Sequence, residues 1–256
     1  MTRSRRVFDT EELFINAIAE RTAALSAHYC HQRGYFTVVL SGGDLISWLR
    51  KLLQPPYIDS IEWSKWHIFW VDERVVPWDH PDSNYKLAMD GFLSQVPIPT
   101  GNIYPIDQYC AAVGDAKGAA FLYEKCIKRL VDRNIIRSYK SSGFPQFDLQ
   151  LLGMGPDGHM ASLFPGHPHI NFKSNLVTYI TDSPKPPPKR ITFTLPVINC
   201  SSYNLMAIRG MEQADAVARV FNDDLDLPTA RLKADTEVIW YLDADAASKL
   251  SDYDEE

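Results

Sequence analysis

Three short apolar runs constrain this chain more than anything else in it, because each ends abruptly in glycines or charges. Tyr35–Leu40 stops at Ser41-Gly42-Gly43, Trp66–Val71 at Asp72-Glu73-Arg74, and Phe147–Leu152 at the turn that begins Gly153-Met154-Gly155. A strand that is apolar at successive positions has no face to leave in water and needs cover on both sides. Helical patterns between the runs supply it. Leu45, Ile46, Trp48, Leu49 and Leu52 restart a helical period after the first run, and further helices are expected at about 83–95, about 110–137 and about 211–222. Additional strands are expected at about 175–181, 190–195, 203–208 and 237–242. Strands alternating with helices predict an α/β fold, a mostly parallel twisted sheet with helices on both faces. We read it as a single domain over 1–256, with the acidic end 251–256 as a flexible tail. Ligands of such sheets gather beyond the carboxyl ends of the strands, where all three polar clusters fall.

Asp9-Thr10-Glu11-Glu12 reads as a capping box, with Asp9 as N-cap of a helix that runs to Gly34. A chain of 256 residues, 45% hydrophobic, buries one large core. The formal net charge of −6 comes without a basic stripe, which excludes a phosphate-backbone surface and hence a nucleic-acid partner. An anionic ligand must be met by a few placed basic groups. Cys30, Cys110, Cys126 and Cys200 lie far apart with no C-x-x-C pair, as expected of reduced thiols in the cytoplasm and not of a disulfide or zinc framework. No apolar run reaches the ~18 residues of a membrane span. Arg3, Arg5 and Arg6 are followed at once by Asp9, Glu11 and Glu12, unlike a signal or transit peptide. Ser248-Lys249-Leu250 would be a peroxisomal address only at the terminus, and Ser251–Glu256 follows it. The proline-rich Ser183–Lys189 reads as a stiff surface loop that delivers Arg190.

The turn after the third run holds the most chemistry. Gly153, Gly155 and Gly158 let the backbone approach a ligand and aim N–H groups at it, and His159 is the side chain whose ordinary pKa lies nearest neutrality. That pairing suits proton transfer. The glycines also satisfy G-x-G-x-x-G, with Asp182 as an acid further on, but Pro165 and Pro168 stop the long helix a dinucleotide site requires. Neither a Walker lysine nor a G-x-S-x-G elbow occurs. His167 and His169 have no carboxylate or cysteine at metal-ligand spacing, so no metal is expected. Arg74, at a strand's carboxyl end, either pairs with Asp72 or Glu73 or holds an anion. Asp82 or Ser83 caps the next helix, with Asn84 as a candidate facing the crevice.

Taken together, Ser41-Gly42-Gly43, Val71-Asp72-Glu73-Arg74, Ser83-Asn84-Tyr85, Leu152–His159 continuing through Ala161-Ser162-Leu163-Phe164-Pro165-Gly166, and Arg190-Ile191-Thr192 resemble the 6-phosphogluconolactonase family over nearly the whole chain. The wording around Trp63–Asn84 and Phe147–Gly166 looks most like plant members. The sister glucosamine-6-phosphate deaminases share the Asp-Gly-His turn but continue differently after it. The resemblance implies a modified Rossmann-like fold and hydrolysis of 6-phospho-D-glucono-1,5-lactone to 6-phosphogluconate, in the oxidative pentose phosphate pathway, without metal or cofactor. It makes His159 the base that activates water. Asp157 or another nearby acid would orient it, turn amides around Gly153 and Gly155 would meet the lactone or its oxyanion, and Arg74 and Arg190 would grip the phosphate with the Ser41-Gly42-Gly43 amides. Asp72 and Asn84 complete the expected substrate site, and the protein is expected as a monomer or weak homo-oligomer. Two positions depart from the family pattern: Asp44 stands where serine is usual and Gln213 where lysine is usual, and both changes remove help for phosphate, unless Asp44 turns away and caps the helix that begins near Leu45. A low-activity sugar-phosphate-binding protein and a related amino-sugar-phosphate deaminase or isomerase are the alternatives.

Overall fold

The computed structural model describes residues 2–250, so the expected acidic tail 251–256 lies outside the described residues. In chain order the first half holds β1 (Thr2–Phe8), α1 (Glu11–Arg33), β2 (Phe36–Leu40), α2 (Asp44–Leu49), α3 (Tyr57–Ser60), β3 (Trp66–Trp70), β4 (Asp72–Arg74), α4 (Asn84–Gly91), α5 (Gln108–Val113) and α6 (Ala116–Asp132). The second half holds β5 (Arg137–Ser138), β6 (Pro145–Gln146), β7 (Leu149–Leu152), β8 (Val177–Ile180), β9 (Arg190–Phe193), α7 (Leu195–Asn199), β10 (Tyr203–Ile208), α8 (Ala214–Phe221), β11 (Glu237–Asp243) and α9 (Ala244–Ala247). Six strands form one parallel sheet in the order β1-β11-β10-β7-β2-β3.

Its central strands are largely apolar and buried on both faces because successive side chains serve two different cores. Phe36, Val38 and Leu40 of β2, with Leu149 and Leu151 of β7, pack with Phe14 and Ile18 of α1 and with Leu45 and Ile46 of α2. Val39 and Leu152, pointing the other way, pack with Ala119 and Ile127 of α6, Val197 of α7 and Val217 of α8. The α/β fold with a covered, mostly parallel sheet is as expected. One charge sits inside it. Asp148, at the amino end of β7, is wholly buried and accepts from Arg33 Nη2 (2.9 Å), Arg137 Nη2 (3.2 Å), the Thr37 amide (2.8 Å) and the Thr37 hydroxyl (2.8 Å).

Several expectations are corrected. Thr10, not Asp9, caps α1: its Oγ1 accepts from Leu13 N at 3.2 Å, while Glu11 and Glu12 occupy the first turn, where the helix dipole favours acids. The helix expected at 110–137 is two helices, because Gly114 ends α5 in a left-handed conformation and Asp115 caps α6 anew. Residues 211–222 begin as a 3-10 turn before α8. Thr2–Phe8 is a strand at the sheet edge, where its arginines are tolerated because one flank is open. The strands at 175–181 and 190–195 do not join the parallel sheet. As β8 and β9 they make a separate antiparallel sheet with β4, in the order β4-β9-β8.

Candidate active site

β2 and β7 lie side by side, but the chain leaves them toward opposite faces, into α2 on one side and toward Met160 and Leu163 on the other. A crevice opens at such a divergence. It measures about 270 Å³ and is lined by Ser41, Gly42, Gly43, Asp72, Arg74, Asn84, Gly153, Gly155, His159 and Arg190. Every expected site residue therefore borders it except Asp157, which instead contacts the His159 ring.

One wall is cationic. The small sheet sets Arg74 directly opposite Arg190 and Asp72 opposite Thr192. Directly opposed residues of antiparallel strands project from the same face, so the two arginines stand together, with the Asp72 carboxylate beside them offsetting part of their repulsion. Arg74 Nη1 donates to Asn84 Oδ1 (2.8 Å) and to the Asp82 carbonyl (3.0 Å), leaving its buried Nε without a partner. The Ser41 hydroxyl is likewise buried and unpartnered. Arg190 is 3% exposed; Nε donates to Pro187 O (3.1 Å), Nη2 to Lys185 O (3.0 Å) and Pro186 O (3.2 Å). Only its Nη1, 3.4 Å from Ser162 Oγ, retains free donor capacity toward the crevice. The Ser162 hydroxyl in turn donates to Asp72 Oδ2 at 2.7 Å.

Glu73 projects to the other side of β4 and organises this wall from below. It is 2% exposed and accepts from the amides of Arg74 (2.8 Å), Asn84 (2.7 Å) and Tyr85 (2.7 Å). Burial pushes its carboxyl up to about 7 against the pull of those three amides. Ser83 is the cap of α4, accepting from Lys86 N at 3.2 Å. Asn84 then reaches Gly42 so closely that a Cβ there would lie 2.0 Å from Asn84 Oδ1, which is why residue 42 carries no side chain. Gly43 is the N-cap of α2, no side chain caps that helix, and its first residues border the crevice. Asp44 therefore does not cap α2; it is the first helical residue, exposed at the crevice mouth.

The opposite wall carries His159. His159 Nδ1 lies 2.5 Å from Asp157 Oδ1, and the ring stacks on Phe164 with centroids 4.8 Å apart. An ionised carboxylate only accepts, so the Nδ1 proton lies between the two and Nε2 keeps its lone pair. The ring is 16% exposed, neither packed in the core nor free in solvent. Burial holds the imidazole below its ordinary pKa, opposed by the Asp157 carboxylate and assisted by the Lys185 cation. Asp157 itself is held low, because hydrogen bonding and charge from His159 and Lys185 outweigh its burial. A Cβ on Gly155 would fall 2.1 Å from the His159 ring, so only glycine admits the imidazole at this place. The Gly155 amide donates to the His159 carbonyl at 2.9 Å, so this glycine contributes room and not the free donor expected of it. Among the described residues no group of three or more His, Cys, Asp or Glu converges as metal ligands, and no helix is long and apolar enough to cross a membrane.

Sequence reasoning missed two groups here. Arg209 follows β10 directly and borders the crevice, its guanidinium 2.5 Å from Glu11 and 3.4 Å from Asp243. The rule that singled out Arg74, a cation at a strand's carboxyl end, would have found it. Lys185 reaches His159 from a loop remote in sequence and had no local signal. Gln213 proves structural as well as lining: turned with its amide nitrogen toward the turn, it donates to the carbonyls of Met154 and Gly155 at 3.2 Å.

A sheet divergence holding an imidazole–carboxylate pair against opposed arginines defines an α/β protein built for a small anionic ligand. Residues 9–240 match the model of the glucosamine-6-phosphate isomerases/6-phosphogluconolactonase family, and the chain belongs to that family. The plant likeness seen in the motifs is borne out. The chain is 74% identical over 250 residues to probable 6-phosphogluconolactonase 4 of Arabidopsis thaliana, covering 97% of this chain and 96% of that one. It is 53% identical over 245 residues to 6-phosphogluconolactonase 3, chloroplastic, of Arabidopsis thaliana, covering 95% of this chain and 74% of that one. The crystal structure of 6-phosphogluconolactonase from Thermotoga maritima superposes with a TM-score of 0.78 at 28% identity, covering 94% of this chain and all of that one.

Proposed function

We propose that this chain is a carboxylic ester hydrolase that opens 6-phospho-D-glucono-1,5-lactone to 6-phosphogluconate, with His159 as general base. The observation that carries the reading is the crevice itself, in which His159 and Asp157 at 2.5 Å face two opposed arginines, an unpartnered Ser41 hydroxyl and an uncapped helix start. The phosphate lies against Arg74, the free donor of Arg190, Ser41 and the first amides of α2. His159 Nε2 takes a proton from water as the oxygen adds to the lactone carbonyl. The resulting oxyanion is met by N–H groups of the turn that starts at Gly153. Collapse breaks the bond from the carbonyl carbon to the ring oxygen, and the imidazolium returns the proton to that oxygen. A δ-lactone is an activated ester, so base and oxyanion donors suffice without a covalent intermediate.

Asp44 sits in the first turn of α2, where its charge competes with phosphate for the same amides. Asp44→Ser should lower KM about 2- to 5-fold with kcat unchanged, the amount a charge at a helix start is worth. Gln213→Lys adds a cation at the crevice and should act in the same direction, partly offset by loss of its hydrogen bonds to the turn. Lactone hydrolysis, corrected for spontaneous opening and followed by NMR, measures both. Turnover at background together with a raised melting temperature in 6-phosphogluconate would make the chain a sugar-phosphate-binding protein. Ammonia released from glucosamine 6-phosphate would place it with the deaminases. The four free cysteines fit the reducing cytoplasm as its compartment, and a fluorescent fusion separates that from the plastid in which a relative is named. Light scattering tests the expected monomer or weak homo-oligomer.

A further inference from the structure

The segment Ser183–Lys189 does more than deliver Arg190. It is held at several points: the Ser183 amide donates to Pro188 O (3.1 Å), the Ser183 hydroxyl donates to Lys185 O (2.8 Å), and Lys189 Nζ donates to Gly114 O (2.8 Å). Arg190 gathers the carbonyls of Lys185, Pro186 and Pro187 around its guanidinium. The backbone of Lys185 is thereby fixed, and its side chain reaches the base. Lys185 Nζ lies 3.4 Å from His159 Nδ1 and 3.6 Å from Asp157 Oδ1.

An ammonium group has only protons to give. Donated to Nδ1, such a proton would force the imidazole's own proton onto Nε2 and leave no lone pair facing the crevice. The Asp157 contact, at 2.5 Å against 3.4 Å, decides the matter: Nδ1 keeps its proton for the carboxylate, and the ammonium serves the carboxylate from the other side. The other charged group near the ring is Asp72 on β4, which also favours the imidazolium. Phe164 covers the ring with an apolar face, and Arg190 stands over that same Phe164, 5.8 Å from its centroid. Among these neighbours Asp157 and Asp72 pull a second proton onto the imidazole, and Lys185 is the cation in contact with it.

We propose that Lys185 is a positioning residue which, through Asp157 and by direct repulsion of the imidazolium, keeps His159 as the neutral Nδ1–H form that can accept a proton at Nε2. Two carboxylates without this cation would leave the base protonated over part of the working range. The same loop that fixes the phosphate-side arginine thus fixes the protonation of the base. This inference rests on His159 being the base of the proposed hydrolysis.

The test is Lys185→Met, a neutral side chain of similar length at a half-exposed position, with Lys185→Arg as the charge-conserving control. Two quantities are read on the full chain: the imidazole titration of His159 by NMR, and the pH profile of kcat/KM for the lactone. Removing the cation should move the His159 titration and the acid limb of kcat/KM upward together, so that the rate well below the limb falls roughly tenfold while the alkaline plateau changes less than about twofold. Lys185→Arg should restore both. An unmoved His159 titration, or a uniform loss of rate at every pH, overturns the proposal. The NMR titration needs no turnover, so a wild-type protein inert toward the lactone would sink the lactonase reading while the effect of Lys185 on His159 was still decided.

Discussion

His159→Ala should lower kcat for lactone opening by about 10²–10⁴-fold, the contribution of a placed general base. The loss should fall on kcat and leave KM nearly unchanged, because the contacts proposed for the phosphate lie on the opposite wall, around Arg74, Arg190 and Ser41. Asp157→Asn should lose part of the same factor by a different route. A carboxamide can present a donor to Nδ1 and release the tautomer that the carboxylate enforces. Wild-type kcat/KM should fall as pH drops through the His159 titration. That drop comes below the ordinary histidine range, because burial disfavours the charged ring. An alanine variant as fast as wild type, after subtraction of spontaneous hydrolysis, would remove His159 from the mechanism.

Asp148→Ala should destabilise the fold by about 3 kcal/mol, lowering the melting temperature by roughly 10 °C, with little change in kcat of the folded fraction. Burial alone pushes this carboxyl's pKa up, and Arg33 and Arg137 pull it back, so the assembled cluster adds little net stability. Breaking it is another matter. Loss of the carboxylate strands the Thr37 amide and hydroxyl and leaves two guanidinium groups beside an apolar strand. Arg33 is 15% and Arg137 35% exposed, so water relieves part of the loss, which sets the figure at the lower end for a buried pair. Asp148→Asn, which retains the shape and one acceptor oxygen, should lose less. Thermal unfolding measures both, and a wild-type melting temperature for Asp148→Ala would show that the cluster is dispensable.

The two variants probe opposite ends of one strand. Asp148 stands at the amino end of β7 and His159 in the turn beyond its carboxyl end, with Leu149–Leu152 between them buried on both sides. Charge enters the sheet at its two ends for different purposes. At the amino end a carboxylate is fully matched by protein donors and only holds the last turn of α1 against β2 and β7. Unpartnered guanidinium Nε groups occur at both ends, on Arg33 and Arg137 as on Arg74, but only at the carboxyl end do such donors, with the Ser41 hydroxyl, border a crevice.

Glu73 shows why part of this site could not be read from its motif. Asp72-Glu73-Arg74 appears as three adjacent charges, any of which could pair on a surface. In the fold their directions alternate: Asp72 and Arg74 border the crevice, while Glu73 turns inward to gather the amides of Asn84 and Tyr85. The alternation is that of any strand, but β4 becomes a strand only because β9 pairs with it. No local pattern announces a partner so distant in sequence. The same holds for Lys185, whose loop was legible as stiff but whose side-chain target was not.

The apolar runs ending at Leu40, Val71 and Leu152, the helix closing at Gly34, and the imidazole among glycines were legible because each expresses a backbone constraint a few residues long. Strand and helix periods are set by local geometry, and a glycine-rich turn is set by which residues tolerate close approach. The chain by itself therefore determined its fold class and the kinds of chemical group it would bring to a ligand. What tertiary structure alone decided was adjacency: Arg74 facing Arg190, Asn84 filling the space above Gly42, Lys185 reaching Asp157, and Asp44 lying beside a helix start instead of capping it. Adjacency between distant segments depends on how two cores pack against the faces of one sheet, and that is a property of the whole assembly, carried by no single stretch of residues.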